Sequence, residues 1–180
     1  CGAPYGSIVC TECWRAEPAF EAGVCAGSLE PPLSRCITLY KDAGERRLGA
    51  PLGDLLARAT EAWAGWPEAV VAVPATPRAL RLRGFDHTAV IAERVARTLG
   101  VAVLPALESV GARDQRALGR NARRENVAGG FAVTRGVAPP PRVLLVDDVM
   151  TTGATLDAAA AVLLAAGAKA VRVGAVARAW

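Results

Sequence analysis

The sequence predicts an α/β fold with a mostly parallel sheet flanked by helices. From about residue 36 onward, short apolar runs of strand length alternate with longer segments of helical periodicity. Several of the runs are continuous in Val and Leu, which is typical of parallel strands buried on both faces. The chain has 180 residues, of which 52% are hydrophobic and 5% aromatic, so its core must consist mainly of Ala, Val and Leu.

The first elements predicted in this alternation are one strand and one helix. Residues 34–44, SRCITLYKDAG, are predicted to form the strand. The helix is predicted from about Pro51, because apolar residues recur there with helical spacing on one face. That face comprises Leu52, Leu55, Leu56 and Ala59.

The later elements are marked by caps and breakers. A short buried strand at 69–74 ends at Pro74, and the next long helix has Asp86 as its N-cap and Gly100 as its stop. The apolar face of that helix comprises Ala89, Ile91, Ala92, Val95 and Leu99. The remaining predicted elements are strands at 101–107, 131–134, 143–148 and 170–178, and a helix at 154–168.

The amino-terminal part of the chain predicts a separate small domain. Residues 1–35 are expected to form a cysteine-rich head with a linker, and residues 36–180 hold the alternating strands and helices. Because the chain opens on Cys1, we expect the head to be truncated at its amino terminus. Its spacing predicts a structural zinc site: Cys10 and Cys13 form one C-x-x-C knuckle, and Cys1 fits the second half of another.

The fourth zinc ligand is either absent or supplied by Cys25 or Cys36, neither of which has knuckle spacing. A redox pair or a disulfide is the alternative use of these thiols. Zinc is favoured because the five cysteines are an odd number and the rest of the chain is typical of a cytoplasmic protein. No apolar run reaches the roughly 18 residues of a membrane helix. The net charge of +4 suits a small anionic ligand as well as weak contact with nucleic acid.

The most informative stretch is RVLLVDDVMTTGATLDAA, residues 142–159. Asp147 and Asp148 stand at the carboxyl end of a predicted parallel strand, where open sheets bind ligands. The following turn leads into a helix amino terminus, whose unpaired N–H groups favour phosphate. Carboxylates only accept hydrogen bonds, so they need hydroxyl donors or a metal ion. A ribose 5-phosphate would supply hydroxyl donors to the carboxylates and a phosphate to the turn. The alternative is an acidic N-cap on a plain helix.

This stretch closely resembles the phosphoribosyl-diphosphate (PRPP) binding motif of type I phosphoribosyltransferases. The resemblance implies that the catalytic acidic pair, Asp147 and Asp148, holds the ribose 2′ and 3′ hydroxyls. It also implies a magnesium ion bound together with PRPP. The residues implied to bind the 5′-phosphate are Thr151, Thr152, Gly153, Ala154 and Thr155.

Two arginine-rich segments add anion-binding capacity. The first follows the strand at 69–74 and contains the candidate diphosphate loop, because guanidinium groups bind phosphates bidentately. The loop comprises Pro74, Ala75, Thr76, Pro77 and Arg78. The second, residues 114–131, is long and polar and predicts a flap over a site, or a solvated loop or basic patch. Candidate contacts to anions or DNA in the two segments are Arg83, Arg116, Arg120, Arg123 and Arg124.

Together, these segments resemble the ComF-type, competence-associated phosphoribosyltransferase-like proteins over residues 36–180, with the cysteine head corresponding to their zinc ribbon. The matching residues are Pro74, Arg78, Arg83, Gly84, Phe85, Gln115, Leu118, Arg120, Arg123, Asn126 and Phe131. The family's usual Asn-Gln after Gly-Phe is replaced by Asp86-His87. His87, the only histidine, is expected at the surface or at a helix cap.

The resemblance implies transfer of a phosphoribosyl group to an unknown acceptor, with a link to DNA uptake. The alternative is a non-catalytic accessory protein of the same fold, which binds single-stranded DNA or a competence helicase partner. Release of diphosphate from PRPP separates the first hypothesis from the second, and salt-dependent DNA binding tests the second.

Overall fold

A computed structural model describes residues 17–110 and 130–179. Seven strands lie in these ranges: β1 (Ala22–Ser28), β2 (Ala69–Ala72), β3 (Ala102–Val103), β4 (Leu107–Ser109), β5 (Phe131–Val133), β6 (Arg142–Met150) and β7 (Ala170–Arg178). The α-helices described there are α1 (Leu33–Lys41), α2 (Gly49–Thr60), α3 (Pro77–Arg83), α4 (His87–Leu99) and α5 (Ala154–Ala165). Short 3₁₀ turns at Arg46–Leu48 and Glu61–Trp63 flank α2.

Five strands form one parallel sheet in the order β1-β7-β6-β2-β3. β6 lies at its centre, between β7 and β2, with Val146 opposite both Gly174 and Ala72. β4 and β5 form a separate antiparallel pair. The central position of β6 means that its carboxyl end opens between two neighbouring strands, which is where an open parallel sheet holds its ligand.

Alternate residues of β6 face two different cores, as expected for a strand buried on both sides. Val143 and Leu145 pack with α5 and with the β4–β5 pair. Leu144 and Val146 pack with α1, α2 and α4. Helices therefore cover both faces of the sheet, and the predicted α/β class is confirmed.

Residues 34–44 do not form the predicted strand, because Leu33–Lys41 is the helix α1. Ile37 and Tyr40 are its buried residues, one helical turn apart, and both pack in the core beneath β6. This i, i+3 spacing prevails over the strand preference of Ile, Thr and Tyr, because a helix turns both residues towards the same core. The helix ends at Lys41, which places that side chain beside the carboxyl end of β6.

The predicted domain boundary between residues 35 and 36 is also wrong. Residues 22–28, expected in the linker, form β1, which pairs with β7 from Ala22 opposite Arg172 to Ser28 opposite Arg178. The boundary itself falls inside α1. β1 consists of small residues with a single Val, so it lacks the long apolar side chains that usually reveal a buried strand.

Other boundaries differ in detail. Helix α2 begins at Gly49, and its buried face includes Leu52, Leu56 and Ala57, whereas Leu55 is 42% exposed. The strand expected at 101–107 is reduced to Ala102–Val103. β6 continues past the acidic pair to Met150, and β7 has the predicted bounds.

Helix α4 has the predicted ends. The Asp86 carboxylate accepts hydrogen bonds from the backbone N–H groups of Thr88 and Ala89, and Gly100 ends the helix at a left-handed φ of 69°. Within the described ranges, no helix combines the length and the hydropathy that a membrane span requires. The cytoplasmic location stays a prediction.

Candidate active site at the carboxyl end of β6

A cavity of about 440 Å³ lies at the carboxyl edge of the sheet. Asp147 and Asp148 of β6 line it, together with Thr151 from the turn before α5 and Thr155 from the first turn of α5. Thr76, from the loop after β2, also lines it. The structure thus brings the acidic pair and the adjacent Thr/Gly turn together with the candidate diphosphate loop, which lies about 70 residues earlier in the sequence.

The Asp148 carboxylate lies among cationic and polar groups. Its side chain is only 5% exposed, and its Oδ2 atom is 2.7 Å from Lys41 Nζ and 3.5 Å from His87 Nε2. Even so, this oxygen accepts no hydrogen bond of favourable geometry from the described residues. Asp148 is therefore compensated in charge, while its buried Oδ2 lacks a well-formed hydrogen bond.

Asp147 lies in a different environment. Its Oδ1 accepts a 2.8 Å hydrogen bond from the backbone N–H of Asp148. Burial, followed by the negative charge of Asp148, raises the pKa of the Asp147 carboxyl well above its usual range. Ionisation of Asp147 is therefore disfavoured, which its residue type alone does not predict.

The Thr/Gly turn has the form of an anion site at a helix amino terminus. Gly153 is the N-cap of α5 with φ 84°, a left-handed conformation that favours glycine, and a Cβ there would lie 3.2 Å from Met150 Cε. Thr152 Oγ1 accepts a hydrogen bond from the N–H of Ala154. Thr151 and Thr155 are exposed at the cavity. Their hydroxyls and the first N–H groups of α5 are positioned to donate to a phosphate.

The candidate diphosphate loop joins β2 to α3. Thr76 caps α3 by accepting a 3.2 Å hydrogen bond from the N–H of Ala79, and Pro77 occupies the first helical turn. Arg78 is exposed and lines a second cavity of about 580 Å³. Lys41, Thr76, Ala79 and Arg83 line both cavities, so the two are adjacent parts of one site.

Comparison with known proteins agrees with this arrangement. Residues 132–179 match the phosphoribosyl transferase domain. Over 194 aligned positions, the chain is 30% identical to competence protein F of Haemophilus influenzae, an alignment that covers 99% of this chain and 83% of that protein. The chain belongs to the competence protein F family. It is also 28% identical to the DNA utilization protein YhgH of Salmonella typhi, over 96% of this chain and 80% of that one.

Among solved structures, this member of the competence protein F family is similar to the glutamine PRPP amidotransferase of B. subtilis. The TM-score is 0.51 and the sequence identity 23%, over 71% of this chain and 25% of that chain. At this identity the likeness shows a shared fold. The resemblance to type I phosphoribosyltransferases and to ComF-type proteins, inferred from the motifs, is thereby confirmed.

His87 is not the surface or capping residue that the sequence predicts, because it is only 5% exposed. Its Nε2 faces Asp148, and its Nδ1 lies 3.3 Å from Nη1 of Arg83. Burial is the main cause that lowers the pKa of His87, so the imidazole is uncharged at neutral pH. In this family member, His87 lines the cavity, and the neighbouring Asp86 caps α4.

Tyr40 of α1 holds the His87 backbone in position. It is fully buried, and its hydroxyl donates a 2.8 Å hydrogen bond to the backbone carbonyl of His87. Burial, followed by the charges of Asp86 and Asp148, raises the pKa of Tyr40 to about 12, so the phenol remains a donor at neutral pH. The His87 backbone is thereby held against α1.

Lys41 and Asp42 are site residues that the sequence analysis missed. Placing residues 34–44 in a strand left no reason to expect Lys41 beside the acidic pair. Asp42 Oδ1 lies 3.6 Å from Arg83 Nη2, which links α1 to α3 across the second cavity. The helical spacing of Ile37 and Tyr40 was the available signal, because it puts Lys41 in the last turn of a helix on the core side.

Several predicted site residues lie outside the described ranges, namely Cys1, Cys10, Cys13, Arg116, Arg120, Arg123 and Arg124. Of the described cysteines, Cys25 lies in β1 and Cys36 in α1, and both are free thiols. Burial raises the pKa of Cys25, which disfavours the reactive thiolate. Within residues 17–110 and 130–179, no group of three or more His, Cys, Asp or Glu converges as a metal site.

Proposed function

We propose that this protein binds PRPP in the cavity at the end of β6 and transfers its phosphoribosyl group to an acceptor, with release of diphosphate. The observation that carries the proposal is the buried Oδ2 of Asp148, which lacks a well-formed hydrogen bond although it lies beside a phosphate-type helix terminus. A ribose hydroxyl is the kind of donor that would satisfy this oxygen, and a 5′-phosphate is the kind of anion that the adjoining turn accepts.

Each part of PRPP has a matching part of the site. The 5′-phosphate would bind residues 151–155 at the start of α5, and the ribose diol would bind Asp147 and Asp148. The diphosphate would then extend towards residues 74–78 and the second cavity, where Arg78 and Arg83 supply positive charge.

A magnesium ion fits this proposal as a companion of the ligand. Magnesium takes one or two carboxylates and completes its octahedral shell with water and phosphate oxygens, so the acidic pair is sufficient protein ligation. Since no larger acidic or histidine cluster converges in the described residues, the remaining ligands would come from PRPP and water. The ion would supply charge neutralisation at the departing diphosphate.

The chain's own groups then have defined tasks. In the transfer, the acceptor forms a bond to C1 of the ribose as the bond from C1 to the diphosphate oxygen breaks, and the diphosphate leaves with the electron pair. The sugar becomes cationic in the transition state, so a nearby carboxylate stabilises it. Arg78 and Arg83 stabilise the leaving diphosphate, and the turn at 151–155 holds the other end of the substrate in place.

The test is calorimetric titration of PRPP with magnesium, combined with an assay of diphosphate release in the presence of candidate nucleobases. We expect Asp147→Ala combined with Asp148→Ala to lower the affinity for PRPP by tenfold or more, since each hydrogen bond to a charged group is worth about 1.5–3 kcal/mol. Asp54→Ala is the matched control, because Asp54 pairs with Arg94 away from the cavity. Unchanged affinity in the double variant would show that the site assignment is wrong.

A second candidate function is a non-catalytic role in DNA uptake. It is favoured by the relatives, which are named competence protein and DNA utilization protein, and by the net charge of +4. In this role the protein would bind PRPP without releasing diphosphate and would contact single-stranded DNA or a helicase partner through Arg116, Arg120, Arg123 and Arg124. Binding without release, together with salt-dependent affinity for single-stranded DNA, would support this function over transfer.

We also propose that Cys1, Cys10 and Cys13 hold a structural zinc ion. The support is the C-x-x-C spacing alone. Metal analysis of the purified protein, before and after Cys10→Ser combined with Cys13→Ser, is the direct test, and a zinc content unaffected by the double change would contradict the assignment.

A further inference from the structure

Lys41 lies at the junction of the two cavities. It is the last residue of α1, its side chain is 24% exposed, and it lines both the cavity of the acidic pair and the one that contains Arg78. The only other lysine of the chain is Lys169, which is exposed just before β7, at the opposite edge of the sheet. The chain therefore places one lysine at the site and provides a second as a built-in comparison.

The contact between Lys41 and Asp148 is close but incomplete. The two atoms are 2.7 Å apart, yet Oδ2 accepts no hydrogen bond of favourable geometry from any described residue. The contact is therefore mainly coulombic, and no directional hydrogen bond fixes the position of the ammonium group. A partly exposed lysine on a flexible four-carbon chain can exchange such a partner for another anion at small cost.

The other cation shared by the two cavities is more constrained. Arg83 contacts His87 through Nη1 and Asp42 through Nη2, so both of its terminal guanidinium nitrogens have neighbours. Among the described residues, Lys41 forms an ion pair with Asp148 alone, and that is the carboxylate which the ribose hydroxyls would occupy. Ligand binding would thus displace Lys41 rather than Arg83.

We propose that Lys41 is an exchange residue, which pairs with Asp148 in the free protein and binds the diphosphate end of the ligand when the ribose hydroxyls occupy Asp148. This inference rests on the proposed function and adds a residue to it. An ammonium group has three donors and no geometric preference between phosphate oxygens, which suits a group that changes partner. The exchange also couples the two ends of the ligand, because the hydroxyls release the cation that the diphosphate receives.

Ribose 5-phosphate separates this role from a purely structural one. It carries the diol and the 5′-phosphate, so it must displace Lys41, but it has no diphosphate to receive the ammonium. In the Lys41→Met variant, we expect PRPP to bind at least tenfold more weakly, while ribose 5-phosphate binds equally well or more tightly. A lysine that only compensates the charge of Asp148 would change both affinities by the same factor.

The experiment is calorimetric titration of PRPP and of ribose 5-phosphate, both with magnesium, into the wild-type protein, Lys41→Met, Lys41→Arg and the control Lys169→Met. Lys41→Arg keeps the charge and should retain most of the preference for PRPP, and Lys169→Met should match the wild type. An unchanged preference for PRPP in Lys41→Met overturns the inference and leaves the proposed function intact. Absence of binding by the wild type overturns both, whereas the expected shift without diphosphate release overturns the transfer step alone.

A second measurement needs no substitution. Reductive methylation with ¹³C-formaldehyde labels both lysines and preserves their charge, so NMR can follow each ammonium separately. We expect the Lys41 signal to move to different positions with PRPP and with ribose 5-phosphate, and the Lys169 signal to stay in place. Identical Lys41 positions in the two complexes would overturn the inference even if Lys41→Met failed to fold.

Discussion

Replacing Asp147 with Asn should stabilise the folded protein at pH 7, whereas the same change at Asp148 should destabilise it. The two residues are neighbours, but Asp147 is a buried carboxyl whose pKa is raised well above its usual range, first by burial and then by the charge of Asp148. Asp148 instead lies 2.7 Å from Lys41 Nζ. Ionisation therefore costs free energy at the first position, and removal of the charge leaves a cation without its partner at the second.

The pH dependence follows from the direction of the pKa shift. A carboxyl group with a raised pKa binds its proton more tightly in the folded protein than in the unfolded chain. The folded protein therefore loses stability as the pH rises from the unfolded value, about 3.9, through the raised folded value. Asparagine does not titrate, so Asp147→Asn should match the wild type most closely at low pH and exceed it increasingly towards pH 7.

The magnitudes are measurable. Each kcal/mol changes the Tm of a chain of this size by about 2–4 °C, so the stabilisation by Asp147→Asn at pH 7 should appear as a rise in the Tm. Breaking a fully buried ion pair costs about 3–5 kcal/mol. Because the Lys41 side chain is 24% exposed and can reach water, we expect about 1–2 kcal/mol for Asp148→Asn.

Urea unfolding of the wild type and both variants between pH 4 and pH 8 tests this reasoning. Equal destabilisation by the two substitutions at pH 7 would refute the assigned difference between the acids. A gap between Asp147→Asn and the wild type that stays constant with pH would refute the raised pKa as its cause.

Two further predictions concern the scaffold of the site. Asp86→Ala removes the acceptor of two backbone N–H groups of α4. We therefore expect the free energy of unfolding in urea to fall by about 1 kcal/mol, with little change in the affinity for PRPP. An altered affinity without loss of stability would indicate that Asp86 contacts the ligand. Gly53→Ala would place a Cβ 2.6 Å from Cβ of Arg94, between α2 and α4. We expect this substitution to destabilise the protein by about 1–3 kcal/mol. A variant as stable as the wild type would show that the two helices can move apart without cost.

The parts of the site that the sequence predicts are those encoded by neighbouring residues. The acidic pair, the Thr/Gly turn and the start of α5 lie within one short stretch, and the Asp86 cap adjoins its own helix. Their roles follow from local chemistry: a helix terminus, a glycine with positive φ and two carboxylates at a strand end. The structure places all of them as expected, apart from the extension of β6 to Met150.

The residues that the sequence does not predict are those brought in by long-range packing. Lys41 reaches Asp148 only because residues 33–41 form a helix, and the Ile, Thr and Tyr of that segment favour a strand on local grounds. His87 resembles a capping residue in sequence, and only the packing of Tyr40 and Asp148 around it makes it a buried site residue. The raised pKa of Asp147 depends mainly on burial, which the residue type alone does not reveal.

The adjacency of β1 and β7 has a consequence for the biosynthesis of this protein. Ala22 pairs with Arg172, about 150 positions later, so at roughly 5–20 residues per second the first strand of the sheet must wait about 8–30 s for its neighbour. An unpaired strand invites aggregation when it is rich in large apolar side chains. β1 is AGVCAGS, almost free of them. The weak strand signal that hides β1 from sequence analysis would also make it a poor template for aggregation in the unfinished chain.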